Sequence, residues 1–455
     1  MDRSASWHMC LLSAMALLAL AHLAAFAQRG VELQTATEQH GMVSVLDFGA
    51  DRKGAKNCTA AFQAAIDAAA ETGGAVDVPP GKYLVGGSLE VKECVAIRGS
   101  NPAPMSIRPL EGAVILATGG RDDEAAPPLF DMRTAASVQG VTVYYPDQKP
   151  DDIHAYPWTF HLSGDDCTIE NVTLINSYNG IKTGPSRTPA SPSTVRHRIR
   201  SVVGCVLRRG IFVDHCTDIG RIENVQFHNH WWSHPDTGGS WAPVWDYMAK
   251  NLEAFVFGRT DWEYVTNCFV FPAKTGYRFT ETAHGLSNGH LTACGADQTQ
   301  TAVLVEKAQT MGWLITAGQF VSQPGEDPVH VRIAESNESA IRFVNCSFWG
   351  PSKRIAHIQG DGHISFDNCT FDDWRGESSD VALILVDSGR IQIANCSFTI
   401  PPPCREAFHP SIELGPNVAH AIIQGNNGRH GVHIIDNSAG KAILVNNEPP
   451  GPATP

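Results

Sequence analysis

Between His228 and Glu263 the chain gathers side chains that sugar chemistry uses. Phe227-His228-Asn229-His230-Trp231-Trp232-Ser233-His234 is followed by Trp241, Trp245, Asp246 and Glu253, then by Arg259, Asp261, Trp262 and Glu263. Five of the ten tryptophans lie between Trp231 and Trp262. Broad apolar rings beside carboxylates and imidazoles suit a sugar, which stacks its CH face and hydrogen-bonds around its rim. The same tryptophans would equally fill a small core beneath a long loop. On this stretch alone the two readings stay open.

Glycoside hydrolysis needs two carboxyls, ~5–5.5 Å apart for retention and ~6.5–9.5 Å apart for inversion. The catalytic candidates are Asp246, Glu253 and Asp297, with Asp261 and Glu263 at their margin. In an extended strand Asp261 and Glu263 would share one face with Cα atoms ~7 Å apart. Beside Trp262 one of them could be held protonated while the other stays ionised. Sugar contacts fall to Arg209, His228, His230, Trp231, Trp232, Trp241, Trp245, Arg259, Trp262 and Lys274. Elimination or epimerisation beside a uronate carboxylate is the alternative chemistry. It needs a base and a neutralising cation, either Ca2+ or a side chain such as Arg208, Arg209, Arg259 or Lys274. His228, His230 and His234 stand at spacings of two and four, but no carboxylate completes a site, so no metal is expected there. A third class is a non-catalytic polysaccharide-binding scaffold.

The rest of the chain limits where such a site can work. Residues 1–27 read as a secretory signal: Arg3, an apolar run from Cys10 to Ala24, then Ala25-Phe26-Ala27 before Gln28. The expected location is secreted or periplasmic, with no membrane anchor after cleavage. The net charge of −13 argues against nucleic acid, which needs a clustered basic surface. Export removes Cys10 and leaves eleven cysteines with no CxxC pair, so neither a metal framework nor a disulfide scaffold is indicated. The Pro-rich end, 449–455, reads as a disordered tail. The expected partner is a polysaccharide or oligosaccharide; the oligomeric state stays open.

A repeat must position these residues. Tyr264 to Phe269, Ile341 to Phe348, Ile364 to Phe371 and Ile391 to Phe398 share the pattern apolar-x-apolar-x-Asn-Cys-x-Phe, in full or nearly so. Weaker copies run through Gly140, Asn171, Gly204, Asn224, Gly289 and Gly318, giving spacings of 31, 33, 20, 43, 22, 29, 27, 23 and 27. Short alternating strands recurring near every 25 residues predict an all-β solenoid, and β-branched and aromatic residues argue against helical repeats. The expectation is a single-stranded right-handed parallel β-helix of about ten coils. Its Asn residues would form a ladder and its cysteines a buried stack. Asn57 to Glu71 would supply an N-terminal capping helix within 57–72, with Asn57 or Thr59 as N-cap and Phe62, Ala65, Ile66 and Ala69 as the buried face. The β-helix domain then spans 28–448. Asp165, Asp218 and Asp261 each stand six residues before an anchor Asn, which marks a recurrent turn. The insertion 228–253 accounts for the one long interval.

Val45-Leu46-Asp47-Phe48-Gly49-Ala50, Ala60 to Ile66 and Gly74 to Tyr83 resemble the opening of the pectate-lyase-like superfamily. The nearest branch is the rhamnogalacturonase- and epimerase-like one, related to glycosyl hydrolase family 28. The resemblance implies a right-handed β-helix and carbohydrate activity. In polygalacturonase-like relatives the catalytic Asp residues lie between the Asn-x-x-Phe strand and the next Gly-Ile-x-Ile strand. The matching segments here are Ser177-Tyr178-Asn179, Arg208-Arg209, 228–253, Pro272-Ala273-Lys274 and Gly295 to Gln298. On adjacent coils they would line one groove holding Arg209, the insertion, Lys274 and Asp297. Asn-Thr-Asp, Asp-Asp and Gly-His-Gly do not occur there; only Gly180-Ile181-Lys182 is similar to the Arg-Ile-Lys element.

Overall fold

The computed structural model describes residues 41–100, 108–187, 192–323, 325–372, 381–399 and 410–450. The expected signal segment and the last residues of the tail lie outside them. The strands form a parallel β-helix. One coil shows the plan: Ala340–Val344 on a first face, a turn at Asn345, Ser347–Trp349 on a second face, and Arg354–Ile358 on a third. The next coil repeats it one strand spacing away, with Phe343 against Phe366, Phe348 against Phe371 and Ile358 against Val386. We call the three stacked faces sheets A, B and C.

The turn from A to B explains the Asn-Cys repeat. Asn171, Asn224, Asn267, Asn345, Asn368 and Asn395 all have φ between 52° and 56°, the left-handed region that Asn tolerates best among residues with a Cβ. Their amides then meet along the stack. Asn267 donates to Asn224 at 2.6 Å and Asn368 to Asn345 at 2.7 Å. The following cysteines are buried, with Sγ bonded to main-chain carbonyls. All ten described cysteines are free. Three weak anchors move: the left-handed residues are Ser201, Ala293 and Ala317, not Gly204, Gly289 and Gly318. The backbone conformation recurs where the Asn does not.

Helix α1, Thr59–Ala70, buries Phe62, Ala65, Ile66 and Ala69 as expected. It packs on the first strands of the stack. Its N-cap residue is Cys58, which makes no side-chain cap bond. Asn57 instead accepts from Thr59 N and Gly86 N, tying the helix start to the next coil.

Two corners flank sheet C. The B–C corner carries the long connections, including 229–252, as expected for the segment after each Asn-x-x-Phe strand. The C–A corner carries the Asp-containing turns. The insertion is not an irregular loop. It folds into two short 3-10 turns, Asn229–Trp232 and Pro235–Thr237, then helix α2, Trp241–Asn251. α2 buries Val244, Met248 and Ala249, a one-sided helical spacing. Gln300 bonds its Ala249 carbonyl from the next-but-one coil at 2.9 Å.

Candidate functional site on sheet C

Each sheet C strand turns two alternate residues into the core and the one between them outward. Ile211 and Val213 point in, followed on the next coil by Phe255 and Phe257 and then by Tyr277 and Phe279. The outward row between them reads His161, Lys182, Phe212, Val256, Arg278 and Leu304. Neighbours in this row are one strand spacing apart, ~4.8 Å.

Lys182 stands out in that row. It makes no direct ion pair among the described residues, yet it is only partly exposed. Desolvation holds its ammonium below the ordinary lysine range; the Asp214 charge opposes that shift and the Arg209 charge adds to it. Beside it His161 has both ring nitrogens engaged, Nδ1 3.3 Å from Asp131 and Nε2 2.9 Å from the Gly184 carbonyl. His161 is therefore a fixed neighbour. Phe212, next in the row, stacks on Trp158 with centroids 6.3 Å apart.

At the B–C corner, guanidiniums and carboxylates interlock. Glu253 accepts from Arg208 at 3.2 Å and from Arg278 at 2.7 Å, and lies 3.9 Å from Arg209 Nε. Arg209 NH1 is 3.5 Å from Glu124, whose carboxylate also accepts from Asn179. Arg278 continues to Glu306 at 3.0 Å. Both Glu253 and Glu124 thus touch Arg209, which keeps their carboxyls within about 10 Å, the outer range for inverting hydrolysis. Tyr178 and Tyr247 of α2 hydrogen-bond to each other beside them, and burial pushes Tyr247 up to about 12.

The aromatic residues of the insertion divide. His228 stacks on Phe271 at 4.7 Å, with Trp241 at 5.5 Å and Trp231 at 6.3 Å; His230 lies 6.4 Å from Trp241. These rings form a cluster on the outside of sheet B, and Trp241 is 48% exposed. Burial, with His230 beside it, depresses His228 to about 4. Trp232 does something else: it is fully buried and donates to the Thr237 carbonyl. It is the core of the insertion and offers no face to a sugar. Trp245 is half-buried on α2, while Asp246 and Lys274 are exposed. Asp297 follows its sheet B strand one coil beyond Phe271. Burial raises its carboxyl, and one of its oxygens is buried without a partner.

Arg259, Asp261, Trp262 and Glu263 lie at the other corner. The sheet C strand Glu253–Phe257 separates the two corners by roughly 13 Å at ~3.3 Å per residue. They do not share the groove with Glu253 and Asp297. Trp262 has φ 55°, so Asp261 and Glu263 do not alternate as in an extended strand. Asp261 accepts from Arg259, Gln309 and Asn288. Burial alone would raise it, but those bonds hold it below the ordinary aspartate range. Glu263 is fully buried, accepting from Thr260 at 2.8 Å and meeting His197 at 2.9 Å. Burial alone would depress His197, but the Glu263 carboxylate lifts it to about 10.

Sequence reasoning did not select Lys182, Glu124, Arg278, Asp214, His215 or His284. Lys182 carried a signal, the Gly180-Ile181-Lys182 fragment at a sheet C strand. Glu124 carried none, because its place depends on a loop from an earlier coil folding back to Asn179. Two groups among the described residues bring together three metal-type ligands: Asp214, His215 and His284, and the buried His197, Cys216 and Glu263. His228, His230 and His234 belong to neither group.

No curated protein matches the chain in sequence. In fold it is similar to the pre-mature bacteriophage phi29 gene product 12, with TM-score 0.55 and 12% identity over 88% of this chain and 54% of that one, so it spans about half of that protein. It is also similar to a DFA-IIIase from Arthrobacter chlorophenolicus A6, with TM-score 0.54 and 11% identity, covering 89% of this chain and 99% of that one. The mannuronan C-5 epimerase AlgE6 A-module of Azotobacter vinelandii gives TM-score 0.52 and 12% identity, over 90% and 99%. Residues 42–180 match the family described as "Rhamnogalacturonase A/epimerase, pectate lyase-like". That match lies at the start of a parallel β-helix whose coil repeats to Val445, and over it the chain is similar to the pectate-lyase-like superfamily.

Proposed function

We propose that this chain is a carbohydrate-active enzyme that works outside the cytoplasm on an acidic polysaccharide laid across sheet C. The reaction is proton abstraction beside a uronate carboxylate, as in a lyase or an epimerase. The observation that carries this reading is the position of Lys182. A lysine with no ion pair among the described residues, desolvated, and outward on the face between two loop-bearing corners is placed to act as a general base. Arg209 on the next coil can take the sugar carboxylate, and Trp158 and Phe212 offer ring faces for stacking. The family match and the epimerase among the similar structures support the same chemistry. The reading includes the right-handed sense usual for parallel crossovers, about ten coils, and α1 as the cap of the open N-terminal end. Export rests on residues 1–27.

Hydrolysis by paired carboxyls is the second reading, favoured by Glu124 and Glu253 flanking Arg209. It ranks lower because both Glu253 oxygens are already held by guanidiniums, so neither is free to meet a sugar or a water. Incubation with a panel of uronate polysaccharides separates the readings. Unsaturated, ultraviolet-absorbing ends or inverted uronate stereochemistry, lost in Lys182→Met, is the expected result. New reducing ends without unsaturation, lost in Glu124→Gln and kept in Lys182→Met, would establish the hydrolase. Binding without turnover on every polymer would leave a scaffold.

A further inference from the structure

Asp214, His215 and His284 stand together at the C–A end of the sheet C strands. Asp214 follows Arg198–Val213, and His284 comes from the connection two coils later. One ligating atom from each lies within 4.8 Å of the others. Asp214 is 5% exposed. Its Oδ1 is held by Arg259 N at 2.9 Å and Thr282 Oγ1 at 2.8 Å, which leaves Oδ2 to face His284 Nδ1 at 3.0 Å. Such outer bonds fix a carboxylate in the way metal-ligating carboxylates are fixed. Thr282 also accepts from His284 N and pairs with Gly285, so the loop bearing the second imidazole is tied down. Gly258 leaves room: a Cβ there would meet Asp214 Oδ1 at 2.9 Å and Thr282 Cγ2 at 2.5 Å.

The two imidazoles are the second observation. Their ring centroids are 3.2 Å apart at 35°, inside the ~3.5–4.0 Å of ordinary carbon contact. Rings this close set both imidazoles beside the carboxylate oxygen Oδ2 of Asp214. His284 is 40% exposed, so the cluster opens to solvent and has an entry path. Two imidazoles and a carboxylate, with positions left open, are a donor set for a divalent first-row transition metal, not for Ca2+.

We propose that Asp214, His215 and His284 bind one such ion at the rim of sheet C. Lys182 and Arg259 are the nearby cations; the Arg259 side chain is already paired with Asp261, and the Lys182 charge is felt at His215. The test reads metal uptake alone, so its outcome is independent of activity on any polysaccharide. Protein stripped with a chelator is titrated with Zn2+ by calorimetry, and bound metal is counted by mass spectrometry. The expected result is one equivalent per chain, with Ca2+ failing to compete. His284→Ala should weaken uptake at least tenfold, with its melting temperature confirming the fold, while His234→Ala should leave it unchanged. Substitution by Co2+ should give visible absorption bands that are lost in His284→Ala. No uptake by the native chain, or uptake unchanged in the His215→Ala/His284→Ala double variant, would overturn the proposal.

Discussion

Lys182 and Gly220 make opposite demands on a substitution. Replacing Lys182 by Met keeps the length of the side chain and removes the amine. A positioned base contributes about 10²–10⁴-fold, so turnover on the responsive uronate polymer should fall by that factor. The melting temperature should hold, because the charge lost had no ion pair. A rise in KM alone, with kcat preserved, would reduce Lys182 to a binding residue. Gly220 is structural. A Cβ there would meet His197 Cε1 at 2.1 Å and Glu263 Oε2 at 2.3 Å, both from fully buried side chains. Gly220→Ala should therefore cost about 1–3 kcal/mol, read by denaturant unfolding. An unchanged midpoint would mean that the buried His197–Glu263 pair can shift, against its close hydrogen bonds.

The insertion shows what an element adds beyond its residues. Trp232 and Trp241 read alike in sequence, yet one is the core of the insertion and the other is its exposed face. Trp232→Ala should cost about 3–5 kcal/mol, as for other buried large-to-small changes. Trp241→Ala should leave the melting temperature nearly unchanged and weaken oligosaccharide binding measured by calorimetry. Equal losses of stability would deny the platform. His228 adds a pH signature. Its pKa falls from 6.5 in the unfolded chain to about 4 in the fold, so the folded state favours the neutral ring. That contribution is complete above pH 6.5 and is lost as pH falls toward 4. Melting curves over that interval should show a steeper acid loss for the native chain than for His228→Phe.

The same insertion marks the limit of the sequence reading. The Asn-Cys-x-Phe coils were legible because a β-helix repeats its strands and its left-handed turn, and each repeat is an independent copy of the signal. Helix α1 was legible because Phe62, Ala65, Ile66 and Ala69 keep a helical period. Helix α2 was missed although Val244 and Met248 share that period, because Trp241, Trp245 and Pro243 masked it. The recurrent Asp turn was seen, but the αL backbone at Trp262 that parts Asp261 from Glu263 left no mark in residue type. Contacts between distant coils were least legible. Glu124 to Arg209 and Asp214 to His284 join segments 85 and 70 residues apart, and nothing in either segment names its partner.

At the scale of the whole molecule, each coil touches chiefly its neighbours, so stability should be nearly a sum of coil and interface contributions. The described core is one continuous apolar column, but its contacts are local along the stack. Phe348 illustrates this. It is fully buried and meets Phe320 at 5.6 Å, Phe343 at 5.7 Å, Phe366 at 5.8 Å and Phe371 at 5.5 Å, all on its own or adjacent coils. Phe348→Ala should open a cavity costing about 3–5 kcal/mol. In a solenoid that loss need not spread evenly: the damaged interface should open below the global unfolding free energy. Native-state hydrogen exchange should then show protection falling first across 313–372, while the strands of 130–213, including the Lys182 row, keep theirs. A uniform loss along the chain would instead make the column one cooperative unit, and would couple sheet C at Lys182 to packing five or more coils away.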